Sequence, residues 1–185
     1  GPDKEELSII FNKKINNFIV DNFSDLNFLL KEIEENNLKI NLLLRMRLKE
    51  YTVNTGRYFV YGMFPKQINE NIKTLKKNKN IQQIGVHFHR KTQNIGEWSL
   101  IRELKDSLTE ETWKDIDILD IGGGVPVVYK NINQITIDNV YEKIKELKEF
   151  VNKKNIKLMI EPGRAISATA GKLITNIKTI VDDNV

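Results

Sequence analysis

Apolar residues recur along this chain at two different spacings. Five short stretches are rich in Val, Ile, Leu, Phe and Met: residues 17–21, 40–48, 81–89, 116–121 and 156–160. Each is strand-sized, and largely apolar runs of this length read as strands covered on both faces. Between them the apolar positions fall three or four residues apart, the spacing of a helix face. Leu26, Leu29, Leu30 and Ile33 form one such stripe, with Ser24 as its N-cap. Pro65 suits the first turn of a helix ending near Lys77. Leu100, Ile101, Leu104 and Leu108 make a third stripe. The longest runs through Ile137, Val140, Tyr141, Ile144, Leu147 and Val151, with Lys and Glu opposite. Residues 50–64, rich in aromatics and glycine, read as a loop. In 173–181 the β-branched content favours a sixth strand, while Ile174, Ile177 and Val181 would also fit a helix.

Strands separated by helices predict an α/β fold with a parallel sheet built from βα units. A barrel and a doubly wound sheet both satisfy that pattern. Five strands cannot by themselves close an eight-stranded barrel.

Composition narrows the function classes. The hydrophobic fraction of 40% and charged fraction of 29% are those of a globular protein. The net charge of +4 comes from Lys dispersed among Glu, Asp and Asn. With no aromatic and basic platform beside it, this charge argues against nucleic-acid binding. No apolar run approaches the roughly 20 residues that span a bilayer as a helix, so no membrane partner is expected. The chain has no cysteine, which excludes disulfides and thiolate metal sites and suits a cytoplasmic location.

The candidate chemistry sits at the ends of three strands. Gly122, Gly123 and Gly124 strip side chains from a loop, so that backbone N–H groups can approach an anion; a flexible turn is the plainer alternative. Their arrangement is neither the spaced glycines of a dinucleotide site nor a phosphate loop ending in Gly-Lys-Ser/Thr, which favours a compact phosphate. His87 and His89 are the only histidines. Two apart on a strand, they would share a face, which raises a two-His metal pair. With no third ligand nearby at metal-like spacing, no metal is expected. Packing against an aromatic ligand is another use of such a residue, and a hydrogen-bonded core histidine is the first reading for His87. Residues 161–164 (Glu-Pro-Gly-Arg) put a carboxylate and a guanidinium around a turn. Glu161 needs a partner, either Arg164 or a cationic ligand atom, and Arg164 suits bidentate phosphate contact.

In this order, these strand ends resemble the barrel domain of the group IV pyridoxal-phosphate decarboxylases of ornithine, arginine, lysine or diaminopimelate, which share the alanine racemase fold. Residues 1–4 (Gly-Pro-Asp-Lys) are similar to the family's Gly/Asn-Pro-x-Lys segment. Residues 18–21 resemble its Val-Asp-Ser strand and 44–46 its Leu-Arg-Ile/Val strand. Residues 85–93 are similar to Gly-x-x-Phe-His-x-Gly-Ser-Gln, while 120–124 and 161–164 match outright.

The resemblance implies a (β/α)8 TIM barrel of the alanine racemase type, here only about strands four to eight. Residues 1–172 would be a partial barrel domain binding pyridoxal 5'-phosphate. Residues 173–185 would begin the crossing into a C-terminal β-domain. By the same resemblance, His89 stacks on the cofactor ring, and Gly122, Gly123, Gly124, Gly163 and Arg164 hold its phosphate. Thr92 stands where the family has a phosphate-binding serine. Glu161 pairs with the pyridine nitrogen, and Arg45 belongs to the same pocket. Lys91 and Thr92 depart from the family's Gly-Ser, and Val60 stands where it usually has lysine. The family's Schiff-base lysine lies on an earlier strand, so the expectation is an inactive fragment of a dimeric, cytoplasmic amino-acid decarboxylase. Residues 165–171 lean toward the diaminopimelate branch. The alternative is a non-catalytic regulator, or a barrel that binds a phosphate ligand without pyridoxal chemistry.

Overall fold

The helices begin where side chains can satisfy their first free N–H groups. Helix α1 (Lys4–Asn12) opens on a capping box: Asp3 accepts from the Glu6 N–H and Glu6 accepts from the Asp3 N–H. The helical stripes read from the sequence begin only at Leu26, so this helix is an addition. Strand β1 (Asn17–Val20) leads into α2 (Phe23–Glu35), whose stripe of Leu26, Leu29 and Ile33 is buried as expected. Its N-cap is Asn22 rather than Ser24, because the extended backbone of Asn22 aims its side-chain oxygen at the Asp25 N–H, 2.9 Å away. Strand β2 (Ile40–Arg45) precedes α3 (Pro65–Lys76), which starts at its proline as predicted. Strand β3 (Ile81–His87) is followed by α4 (Leu100–Ser107) and by a short α5 (Glu110–Asp115) capped by Thr109. Strand β4 (Ile118–Asp120), α6 (Gln134–Asn152), β5 (Lys157–Met159) and α7 (Gly163–Ser167) complete the elements.

The structure, a computed structural model, describes residues 1–48, 61–90, 95–96, 98–128, 132–168, 170–171, 174 and 176. Most of the expected strand over 173–181, most of the loop at 50–64, Thr92, Lys91 and Val60 lie outside the described residues.

All five strands are parallel, and their spatial order is β1-β2-β3-β4-β5. That order decides between the two α/β architectures. A doubly wound sheet reverses its strand order at a switch point, whereas a barrel adds each strand beside the last. This sheet never reverses, and it is a segment of a (β/α) barrel. Its core joins the sheet to the buried sides of the helices through Leu42, Leu44, Ile84, Leu104 and Leu147. Between β3 and β4 the backbones come so close that a Cβ on Gly85 would stand 2.3 Å from the Ile118 carbonyl oxygen. Asp117 fixes the same junction by accepting the Ile84 N–H and pairing with Lys76.

Because the strands are parallel, their C-terminal ends gather on one side. Arg45 pairs in register with His87, His87 with Asp120, and Asp120 with Met159. One row across the sheet thus carries a guanidinium, an imidazole and a carboxylate.

Candidate functional site

A second row lies just beyond the first. The ladder of backbone hydrogen bonds continues past the strands: Phe88 donates to the Asp120 carbonyl at 3.0 Å, Ile121 to Met159 at 3.1 Å, and Glu161 to Gly122 at 2.8 Å. This stitching brings His89, the glycines and Glu161 together at the mouth of the sheet.

The glycines are required by that closeness. Gly122 has φ +61°, and a Cβ there would stand 2.4 Å from the Phe88 carbonyl oxygen. On Gly123 it would meet the Glu161 carbonyl oxygen at 2.9 Å and the His89 ring at 3.0 Å. The Gly122 N–H donates to Asp120 Oδ1 at 2.9 Å, and the Gly123 N–H donates to His89 Nδ1 at 3.2 Å. Two amides of the triplet are therefore already engaged by the protein, and the tight packing answers the alternative of a merely flexible turn.

His87 and His89 do not share one strand, as their spacing suggests. The strand ends at His87, which is only 4% exposed, and His89 sits in the loop beyond it with its side chain 41% exposed. Their rings are 6.4 Å apart, and both face Glu161. Oε2 of Glu161 lies 3.7 Å from His87 Nε2 and 3.6 Å from His89 Nδ1. Among the described residues no ion pair joins Glu161 to Arg164; Arg164 lies exposed on α7. Glu161 thus turns to the imidazoles and not to the guanidinium three residues on. Gly163 is open: a Cβ added there would find nothing within 4 Å.

The structure corrects two expectations drawn from the sequence. His87 is buried, but neither ring nitrogen has a hydrogen-bond partner among the described residues, so it is not a satisfied core histidine. The histidine pair also has a nearby third ligand-type group, Glu161, supplied from the end of β5 through the fold and invisible in local spacing. Asp120, read from the sequence only as the first residue of the motif 120–124 and given no role there, lies in the same cluster. It is 1% exposed, and its carboxylate orients Gly122.

Charge and burial set the protonation of this cluster. Burial lowers the His87 pKa to about 4; Asp120 pulls against it, while Arg45 and His89 push the same way as burial. His87 is therefore neutral at neutral pH. Burial raises the Asp120 pKa, and the charge of Glu161 adds to that, while the Gly122 N–H and the two histidines oppose it. Arg45, half-buried in the same row, also lies over the Tyr61 ring at 5.3 Å.

A parallel βα segment that concentrates polar groups at the C-terminal mouth of its strands has the site layout of the (β/α)-barrel enzymes. The family described as pyridoxal-dependent decarboxylase, pyridoxal binding domain, matches residues 2–168, and this chain belongs to that family, whose cofactor is pyridoxal phosphate. The diaminopimelate decarboxylase of Aquifex aeolicus is 28% identical over an alignment covering 98% of this chain and 46% of the relative. The chain thus spans about half the length of that curated relative. Among solved structures, the diaminopimelate decarboxylase of M. jannaschii superposes with a TM-score of 0.68 at 22% identity, covering 91% of this chain and 42% of the other. The lysine/ornithine decarboxylase of Vibrio vulnificus, solved with cadaverine, gives 0.65 at 24% identity, covering 89% and 41%. These structural likenesses establish the alanine racemase-type barrel.

Proposed function

We propose that the protein carrying this chain removes CO2 from the α-carbon of an amino acid with pyridoxal phosphate, and that residues 1–172 form part of the barrel domain holding the cofactor. The observation that carries this reading is the convergence of Glu161, His89 and the glycine triplet at one strand-end mouth. The described residues fit the cofactor in three respects. Glu161 is free of Arg164 and half-exposed, so its carboxylate can accept a pyridinium N–H. The exposed face of His89 can lie against an aromatic ring. The glycine triplet adds no side chain of its own to the mouth, and its tight packing fixes the loop beside His89 and Glu161 where a phosphate would approach.

When bound, pyridoxal phosphate supplies an electron sink for the bonding pair released as the carboxylate departs. Glu161 would keep the proton on the ring nitrogen, which strengthens that sink. His89 would orient the ring, and its bond from the Gly123 N–H would hold the imidazole in place. Gly124, Gly163, Arg164 and Thr92 would take the phosphate, Gly122 and Gly123, whose amides Asp120 and His89 already hold, would shape the loop around it, and Arg45 would add positive charge to the pocket. His87, kept neutral by burial, would bring no positive charge to compete with the ring nitrogen for Glu161. In the net reaction the Cα–carboxylate bond breaks, CO2 leaves, and a proton takes its place on Cα.

Diaminopimelate is the first substrate in this reading, on the strength of the Aquifex relative and of residues 165–171; ornithine, lysine and arginine follow. The full-length protein, supplied with pyridoxal phosphate and each amino acid in turn, should release CO2 and the matching decarboxylated product by mass spectrometry. No cofactor binding and no CO2 from any of the four would sink the proposal. A homodimer and a cytoplasmic location belong to the same reading, as does inactivity of the 185 residues by themselves.

A further inference from the structure

The cluster of His87, His89 and Glu161 has a chemical capacity beyond cofactor binding. One ring nitrogen from each histidine and one Glu161 oxygen all lie within 4.8 Å of one another. Two of the separations onto Glu161 Oε2, 3.7 Å and 3.6 Å, are near the about 3.4 Å that bonds of about 2.1 Å impose between tetrahedral ligands. A second observation is independent of that geometry. His87 is almost wholly buried, yet neither of its nitrogens finds a hydrogen-bond partner among the described residues. Leaving a buried polar group unsatisfied is costly, and its Nε2 lies on the Glu161 side of the ring.

We propose that His87, His89 and Glu161 bind one divalent transition-metal ion of the zinc class when no cofactor fills the pocket. Two imidazoles and one carboxylate are a ligand set for Zn²⁺, Co²⁺ or Ni²⁺ and not for Mg²⁺, which prefers all-oxygen sites. Among the described residues three protein ligands converge, which leaves at least one coordination position for water or a small anion. The His89 and Glu161 side chains are 41% and 44% exposed, which leaves them room to close around the ion. The long hydrogen bond from Gly123 to His89 Nδ1 is the contact the ion displaces if that nitrogen binds. Asp120, in register beside His87, offsets the opposing charge of Arg45. The metal site stands on this geometry alone. Its exclusion by the cofactor rests on the proposed function, because the same Glu161 carboxylate would serve both.

The test uses the full-length protein freed of cofactor and metals, titrated with Co²⁺ and then Zn²⁺. One Co²⁺ per chain should produce a visible d–d absorption that Zn²⁺ removes and Mg²⁺ leaves unchanged. Glu161→Gln and His89→Gln alter exposed side chains, and circular dichroism should show both variants folded. Each should weaken Zn²⁺ binding by on the order of 100-fold. Absence of stoichiometric Zn²⁺ binding, or binding that both variants retain unchanged, overturns the site. Saturating pyridoxal phosphate should weaken Zn²⁺ binding at least about tenfold, the least effect expected of a shared carboxylate. Zinc affinity unmoved by bound cofactor overturns the exclusion. If pyridoxal phosphate does not bind at all while Zn²⁺ does, the cofactor reading falls and the metal site stands.

Discussion

Glu161 concentrates the site's chemistry in one exposed carboxylate, so its substitution should separate function from folding. In the full-length protein, Glu161→Gln keeps the side chain's size but removes its charge. It should lower kcat by on the order of 100-fold, as loss of one preorganised electrostatic contact does, with little change in thermal midpoint. A large loss of stability instead would give Glu161 a structural role. The glycines divide in the opposite way. Gly122→Ala puts a Cβ against the Phe88 carbonyl oxygen at a positive φ, so it should destabilise the protein by about 2 kcal/mol or more. Gly163→Ala meets open space and should leave unfolding nearly unchanged, while weakening cofactor binding if the backbone there faces phosphate. Urea denaturation and cofactor titration of the two variants distinguish these outcomes. Glu161, His89 and the triplet were legible in the sequence because each is unusual for the end of an apolar run. The want of hydrogen bonds at His87 and the role of Asp120 were not, because both depend on register between strands that sequence spacing does not encode.

Helix starts show what local sequence can decide and where it stops. Both Asn22 and Ser24 are N-cap residue types, and the choice fell to backbone geometry: Asn22 is extended (φ −151°), whereas Ser24 already lies within the helix. Asn22→Ala should therefore cost about 1 kcal/mol and Ser24→Ala less than about 0.5 kcal/mol. Equal losses in denaturant unfolding would return the cap to Ser24. Helix α1 was legible in principle: Asp3 and Glu6 have capping-box spacing, and Leu7, Ile10 and Phe11, one buried and two partly buried against the core, stand at helical spacing in a stripe shorter than the others. The strands came out shorter than their apolar runs for a related reason. Ile116 and Ile156 are buried by packing just ahead of the paired residues, so apolar character extends past the ladder.

Across the whole molecule, the strand ends act on stability through their charges and the sheet acts through its edges. His87 has a folded pKa of about 4 against an ordinary 6.5, so between those values the unfolded chain binds a proton that the folded one does not. Stability contributed by the neutral ring is present above pH 6.5 and is lost as pH falls toward 4, by up to about 3 kcal/mol. The raised pKa of Asp120 gives the opposite slope above its ordinary 3.8, so the net loss is smaller than His87 alone implies. Thermal midpoints should fall from neutral pH to about pH 4.5, and His87→Gln should flatten that fall; an unchanged slope in the variant would assign it elsewhere. The sheet order was legible only as a choice between two architectures, because apolar runs announce buried strands without saying which neighbours they take. The realised order leaves β1 and β5 each paired on one side only among the described residues. Exposed apolar side chains accompany both edges: Ile19 and Phe28 near β1, and Ile160 and the 75% exposed Ile166 beyond β5. Unpaired parallel edges with apolar flanks recruit further strands. The 185 residues produced alone should therefore associate, with light scattering giving a mass above one chain, while a stable monomer at micromolar concentration would mean the edges are protected within this chain.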